Sequence, residues 1–294
     1  MTATTTIRAR EERATSRSRS RWRLDPVATA SAVVLALFVL AAILAPWIAP
    51  YPGDGTTEVH PENLLQAPSA AYLMGTDTFG RDVLSRLIYG ARTSLFIVAA
   101  VLLIAVLFGT FIGLVAGYFG GWVRDVLMRI TDIFLAFPAL LLSVALAMVL
   151  KPSVSTVIIA IAVTWWPWYA RLAVGMAASI RSRAYVDASR TLGQSHLKVI
   201  LKQVLPNATT PVIVQTSLDA GGVILTAAAL SYLGLGVKDP TSEWGLMVQQ
   251  GQSLVATQWW VMVFPGLAIL VTAFCFNMLG EGLRSALDVK KVTR

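Results

Sequence analysis

The residues able to do chemistry in this 294-residue sequence are few and poorly placed for catalysis. The one cysteine, Cys275, lies inside an apolar run, which excludes an intrachain disulfide and a paired-cysteine metal site. The two histidines, His60 and His196, are far apart, in segments that the charge pattern puts on opposite sides of a membrane, so no metal ligand is assigned. No H-E-x-x-H or G-x-S-x-G spacing supplies a metal base or a nucleophile. No G-x-x-x-x-G-K-[ST] loop supplies the backbone cradle that ATP phosphates need. The chain is therefore not read as an enzyme, and no cofactor is assigned to it.

Asp219 is the exception, a carboxylate inside an apolar stretch, where insertion costs about 3 kcal/mol. Two readings stay open: a contact in a pathway or between subunits, or a bond to Thr216 or a neighbouring helix that fixes packing. Pro167 stands among Trp165, Trp166 and Trp168 in another apolar stretch, where it frees a backbone carbonyl. It is a candidate hinge, with packing as the alternative. Gly109, Gly113 and Gly117 recur every four residues, the spacing that lets helix backbones approach closely.

The most informative polar stretch is Ala178 to Asn207. Helical spacing puts Tyr185, Ala188 and Leu192 on one face before Gly193, and Leu197, Ile200, Leu201 and Val204 on one face after it. Gly193 suits a sharp reversal, and Pro206 is expected to stop the second helix. The pattern predicts a helix, a turn and a helix. Ala188 and Ser189 are small enough for a partner surface to approach.

The elements that position these residues follow from composition. At 56% hydrophobic and 14% charged, with a mean hydropathy of +0.67, the chain has too little polar surface for a water-soluble globule. A helix crossing about 30 Å of hydrocarbon needs about 20 apolar residues. Six stretches qualify: Val27 to Ala49, Thr93 to Ala116, Ile130 to Leu150, Val154 to Val174, Pro211 to Leu233 and Trp259 to Leu279. The first is too long for a secretory signal core and ends in interfacial Trp47 between Pro46 and Pro50, so it is read as a retained anchor.

The net charge of +8 follows a membrane pattern, not a nucleic-acid one, because basic residues cluster at span ends. The leader holds Arg8, Arg10, Arg13, Arg17, Arg19, Arg21 and Arg23; the loop after span four holds Arg181, Arg183, Arg190, Lys198 and Lys202; the tail holds Arg284, Lys290, Lys291 and Arg294. These mark the cytoplasmic side and put both termini there. Arg81, Arg86 and Arg92 run against the rule, and a short interfacial helix through Val83, Leu84, Leu87 and Ile88 is the expected explanation. The resulting division is a disordered leader (1–25), an anchor (26–50), an extracytoplasmic segment (51–92), a permease core (93–280) and a tail (281–294).

The run Tyr185-Val186-Asp187-Ala188-Ser189-Arg190-Thr191-Leu192-Gly193-Gln194-Ser195, followed by Leu205-Pro206-Asn207, resembles the EAA loop of ABC importer permeases. Asp187 stands where glutamate is usual and Ser189 where the second alanine is usual; charge and small volume are kept. Three further stretches resemble the C-type subunits of the dipeptide, oligopeptide and nickel group. They are Met74-Gly75-Thr76-Asp77 with Gly80-Arg81-Asp82, Leu230-Ser231-Tyr232-Leu233-Gly234 with Glu243-Trp244-Gly245, and Leu279 to Asp288.

This resemblance implies an all-α, six-span, type I ABC importer permease fold. It implies that the loop, with Tyr185, Asp187, Ala188, Ser189, Gly193, Ser195, Pro206 and Asn207, forms a coupling helix pair on an ATPase subunit. It further implies a second permease subunit, two ATPases that use ATP and Mg, an extracytoplasmic binding protein, and a bacterial cytoplasmic membrane. Peptides are the expected substrate, with nickel or another small solute as the alternative. An ion-coupled carrier is the rival class; it would show repeats around a midplane ion site, and no clear repeat is found.

Overall fold

The computed structural model describes residues 25–288, so the leader up to residue 24 and the tail from residue 289 lie outside the described residues. Helix α1 (Pro26–Ile43) is followed by a short α2 (Ala45–Ile48). Pro26 sits at the first helical position, where its missing N–H costs nothing. Then come α3 (Val83–Phe119), α4 (Gly121–Leu135), α5 (Ala139–Val149), α6 (Val154–Arg181), α7 (Ala184–Thr191), α8 (His196–Val199), α9 (Leu205–Tyr232), α10 (Trp244–Gly251) and α11 (Trp260–Asp288). Five stretches are long and apolar enough to cross a membrane, and the pair α4 and α5 makes a sixth if it counts as one span.

Three expectations are corrected. The third span is not straight: α4 and α5 meet at 84°, because Pro138 cannot continue a helix begun at Gly121 and instead starts the next one. No separate interfacial helix precedes span two, since Val83 to Ile88 are the first turns of α3 itself. The boundaries drawn at residues 92 and 280 therefore fall inside α3 and α11.

The third correction concerns Pro206. It does not stop the second loop helix; one helical stretch runs His196–Tyr232. Proline lacks a donor and crowds the carbonyl four residues back. Here a wider π turn over Ile200–Val204 immediately precedes the proline and takes up that crowding. Pro211 likewise lies inside α9, not at its start.

At 37 residues, α3 is about 55 Å long, well beyond about 30 Å of hydrocarbon, so part of it extends past the apolar layer. Its main neighbour is α6. A Cβ on Gly109, Gly113 or Gly117 would collide with the carbonyl oxygens of Trp166, Ala170 and Val174, so the glycine stripe is a helix-to-helix contact within this chain. Pro167 is buried at that contact, and α6 continues through it. Helices α9, α11 and α1 pack in succession beside this pair.

Candidate functional site

The polar stretch folds as a hairpin of two helices at one end of α3. Gly193 holds φ +77°, the left-handed region that only glycine adopts freely, with open space where a Cβ would lie. Its N–H donates to the Arg190 carbonyl at 2.9 Å, and the Gln194 N–H to Ser189 O at 3.1 Å, closing the turn. Ser189 Oγ donates to Tyr185 O at 2.9 Å, and Gln203 Nε2 donates to Ser189 Oγ, which braces one helix against the other. Asp187, in the first turn of α7, lies 3.9 Å from Arg190, an exposed pair of small energetic weight.

The hairpin divides its apolar residues in two. Val186, Val199, Ile200, Val204 and Ala208 are buried against Leu114, Tyr118, Ala173, Ala177 and Ile180. Tyr185, Leu192, Leu197 and Leu201 are exposed, Leu192 by 82%. The expected second face is thus split: Ile200 and Val204 turn inward, Leu197 and Leu201 outward. Of the other site residues, Ala188, Ser195, Pro206 and Asn207 are exposed, and Asn207 Nδ2 donates to Gln203 O at 2.6 Å.

Tyr118 joins the hairpin to the span, which the sequence pattern does not reveal. It is fully buried near the end of α3, its hydroxyl lies 2.9 Å from His196 Nδ1, and Arg190 stacks on its ring at 5.1 Å. Nearby, Arg181 Nη1 donates to Phe119 O at 2.9 Å. Tyr118 lies 78 positions from His196, so no local spacing signals the contact.

Asp219 lies mid-way along α9, about 21 Å from Leu205, deeper than a helix starting at Pro211 would put it. Its Oδ1 accepts from Gln215 Nε2 at 2.9 Å, whereas its Oδ2 and the Tyr169 hydroxyl of α6 are buried without a hydrogen-bond partner. Thr216 does not bond it; that hydroxyl donates to Val212 O at 2.7 Å. The bond to the carboxylate therefore comes from its own helix. An apolar groove of about 820 Å³ runs between α3 and α9 and continues past Leu197 and Leu201 of the hairpin.

The opposite end of α3 carries the arginines that broke the charge rule. Arg81 and Arg86 are buried: Arg81 Nε donates to Asp77 Oδ2 at 2.9 Å and Arg86 Nη1 to the same oxygen at 2.6 Å. Arg86 Nη1 also donates to Gln250 Oε1 at 2.9 Å, and Arg81 Nη1 to Asp239 Oδ1 at 3.0 Å. Gln250 in turn donates to Asp239 Oδ2. Asp77 and Asp239 thus recruit arginines that would be costly to bury alone. Glu243 caps α10, accepting from Gly245 N at 2.9 Å and Leu246 N at 2.8 Å; its burial pushes the carboxyl pKa upward.

At the same end His60 lies 2.8 Å from Asp54 Oδ1, and this bond raises the imidazole pKa above its ordinary 6.5. Asp54, Glu58 and His60 bring ligand-type atoms within 4.8 Å of one another. Asp54 is already committed, however, its Oδ2 accepting from the Asp82 amide at 2.7 Å.

This arrangement can be set beside known proteins. Residues 109–290 match the family model described as binding-protein-dependent transport system inner membrane component, and residues 15–68 match the N-terminal TM domain of oligopeptide transport permease C. The dipeptide transport system permease protein DppC of Alkalihalophilus pseudofirmus is 40% identical, over 90% of this chain and 86% of that one. A probable D,D-dipeptide transport system permease protein of Escherichia coli is 42% identical, over 92% and 90%. The fold resembles a chain of the MetNI methionine ABC transporter, solved facing inward, with TM-score 0.55 and 16% identity over 68% of this chain and 96% of that one. With its apolar spans and its exposed two-helix hairpin, the chain belongs to the binding-protein-dependent transport family of inner membrane components, as a multi-pass, C-type permease subunit of an ABC importer.

Proposed function

We propose that the chain forms half of the translocation pore of a peptide importer and that the hairpin over 178–207 is where a separate ATPase docks. The observation that carries the docking is the exposed apolar surface of Tyr185, Leu192, Leu197 and Leu201 on an element otherwise braced by hydrogen bonds. Apolar side chains held out on a rigid scaffold suit a partner surface better than water. Two ATPase subunits would use ATP and Mg, this chain binding neither. Their closure would draw the hairpins together and turn the spans outward. The reading places the hairpin and both termini in the cytoplasm and the Arg86 end outside, facing a binding protein.

Di- or oligopeptides are the proposed substrates, supported by the dipeptide names of two relatives; a third, from Pectobacterium atrosepticum, is named a glutathione permease. A different second permease subunit is the proposed neighbour along the α3 and α9 groove. Asp219 supports either a pathway role or a fixed contact, and Pro167 either packing or a hinge. Asp219→Asn, at normal assembly, separates the first pair: an unchanged rate and substrate dependence removes the pathway role.

The deciding experiment is uptake in vesicles holding this chain with its partner permease, ATPases and binding protein. Uptake of labelled dipeptide that requires ATP is expected. Uptake driven by an ion gradient without ATPases defeats the importer reading, and uptake of nickel chelates in place of dipeptide defeats the peptide assignment.

A further inference from the structure

We propose that Tyr118 is the positioning residue through which movement of the hairpin reaches α3; this rests on the reading of the hairpin as the ATPase dock. The hairpin is joined through the chain to α6 at residues 182–183 and to α9 by a continuous helix, so its displacement reaches those two spans directly and reaches α3 only by side-chain contact. Among the described residues, Tyr118 is the one side chain outside 184–204 that both hydrogen-bonds and stacks on side chains of that segment. It contacts both helices of the hairpin: its hydroxyl meets His196 of α8 at 2.9 Å, and its ring carries Arg190 of α7 at 5.1 Å. The other side-chain bonds described for α7 remain within the hairpin.

The receiving element is stiff. Tyr118 lies one residue before the end of α3, and the stripe of Gly109, Gly113 and Gly117 seats α3 backbone-to-backbone on α6. Close-packed helices move as a body, not by bending at each contact. A pull on the hydroxyl and ring of Tyr118 is therefore delivered to α3 and α6 together. Polar contacts are directional where apolar packing is not, so a hydroxyl bond plus a stacked guanidinium fixes the angle between hairpin and rod.

The test uses the whole reconstituted importer, reading dipeptide transported per ATP hydrolysed. Tyr118→Phe removes only the hydroxyl and keeps the ring, so assembly should be normal. Retained ATP hydrolysis with transport per ATP reduced about five-fold is expected, the lower end of usual coupling between sites. An unchanged ratio overturns the proposal. So does a parallel loss of hydrolysis and transport in an assembled complex, which would make Tyr118 an activator of the ATPase instead of a transmitter. Leu192→Asp keeps the two ideas separate. If ATPases still co-purify with L192D, the docking reading fails and the proposal with it; if L192D loses them while Y118F keeps the normal ratio, only the role of Tyr118 fails.

Discussion

The two ends of α3 solve opposite problems. At the Arg86 end, charges are buried: Asp77, Arg81 and Arg86 are each at most 3% exposed, and Asp77 with Asp239 balances the two arginines, although Leu64, Leu73 and Phe79 of the preceding segment are exposed. At the Tyr118 end, charges are exposed and four large apolar side chains stand in the open. The first end is closed on itself, because an ion pair out of water is tolerated only when its partners come from the same fold. The second is incomplete, its outward apolar face left for another surface. One continuous helix carries both.

The comparison breaks first if the closed end does not depend on its ions. Arg86→Leu leaves Asp77 short of a buried partner and should cost about 3–5 kcal/mol, read as a large drop in thermal stability of the detergent-solubilised chain. A loss below about 1 kcal/mol would make that end an ordinary apolar core. Next comes the rod between the ends. Gly113→Val puts a side chain against the Ala170 carbonyl and should cost about 1–3 kcal/mol, seen as a lower melting temperature.

A smaller, pH-dependent effect sharpens the closed end further. The folded pKa of His60 lies above its unfolded value, so the protonated imidazole stabilises the fold fully below about pH 6.5. That contribution is lost as pH rises through the folded value. The melting-temperature gap between wild type and His60→Asn should therefore narrow from about pH 5.5 to about pH 8.5; a gap that widens would reverse the assignment. The smallest stability effect belongs to the open end. Leu192→Asp should change unfolding by no more than about 0.5 kcal/mol, since Leu192 packs against little in this chain. A larger loss would mean that this face belongs to the fold and is not a docking surface.

Much of this was legible in the residues. The spans follow from length and hydropathy alone, since a bilayer leaves a helix few alternatives. The reversal at Gly193 and the outward face of Tyr185, Ala188 and Leu192 follow from helical spacing and one glycine. The glycine stripe announces a close helix contact, though not its partner. Pro206 misled because a proline is read locally as a stop, whereas the π turn before it is visible only in the folded helix. Arg81 and Arg86 misled in the same way: beside an apolar run they look like interfacial charges until Asp239 arrives from 158 positions away.

The sequence by itself therefore determined the solvent, the helices and the hairpin, because each depends on neighbours within a turn or two of the chain. Tertiary structure alone decided that Tyr118 meets His196 and Arg190, and that Asp77 and Asp239 enclose two arginines. Those contacts join distant segments, and a side chain's periodicity fixes the face it occupies but not the helix that comes to cover it.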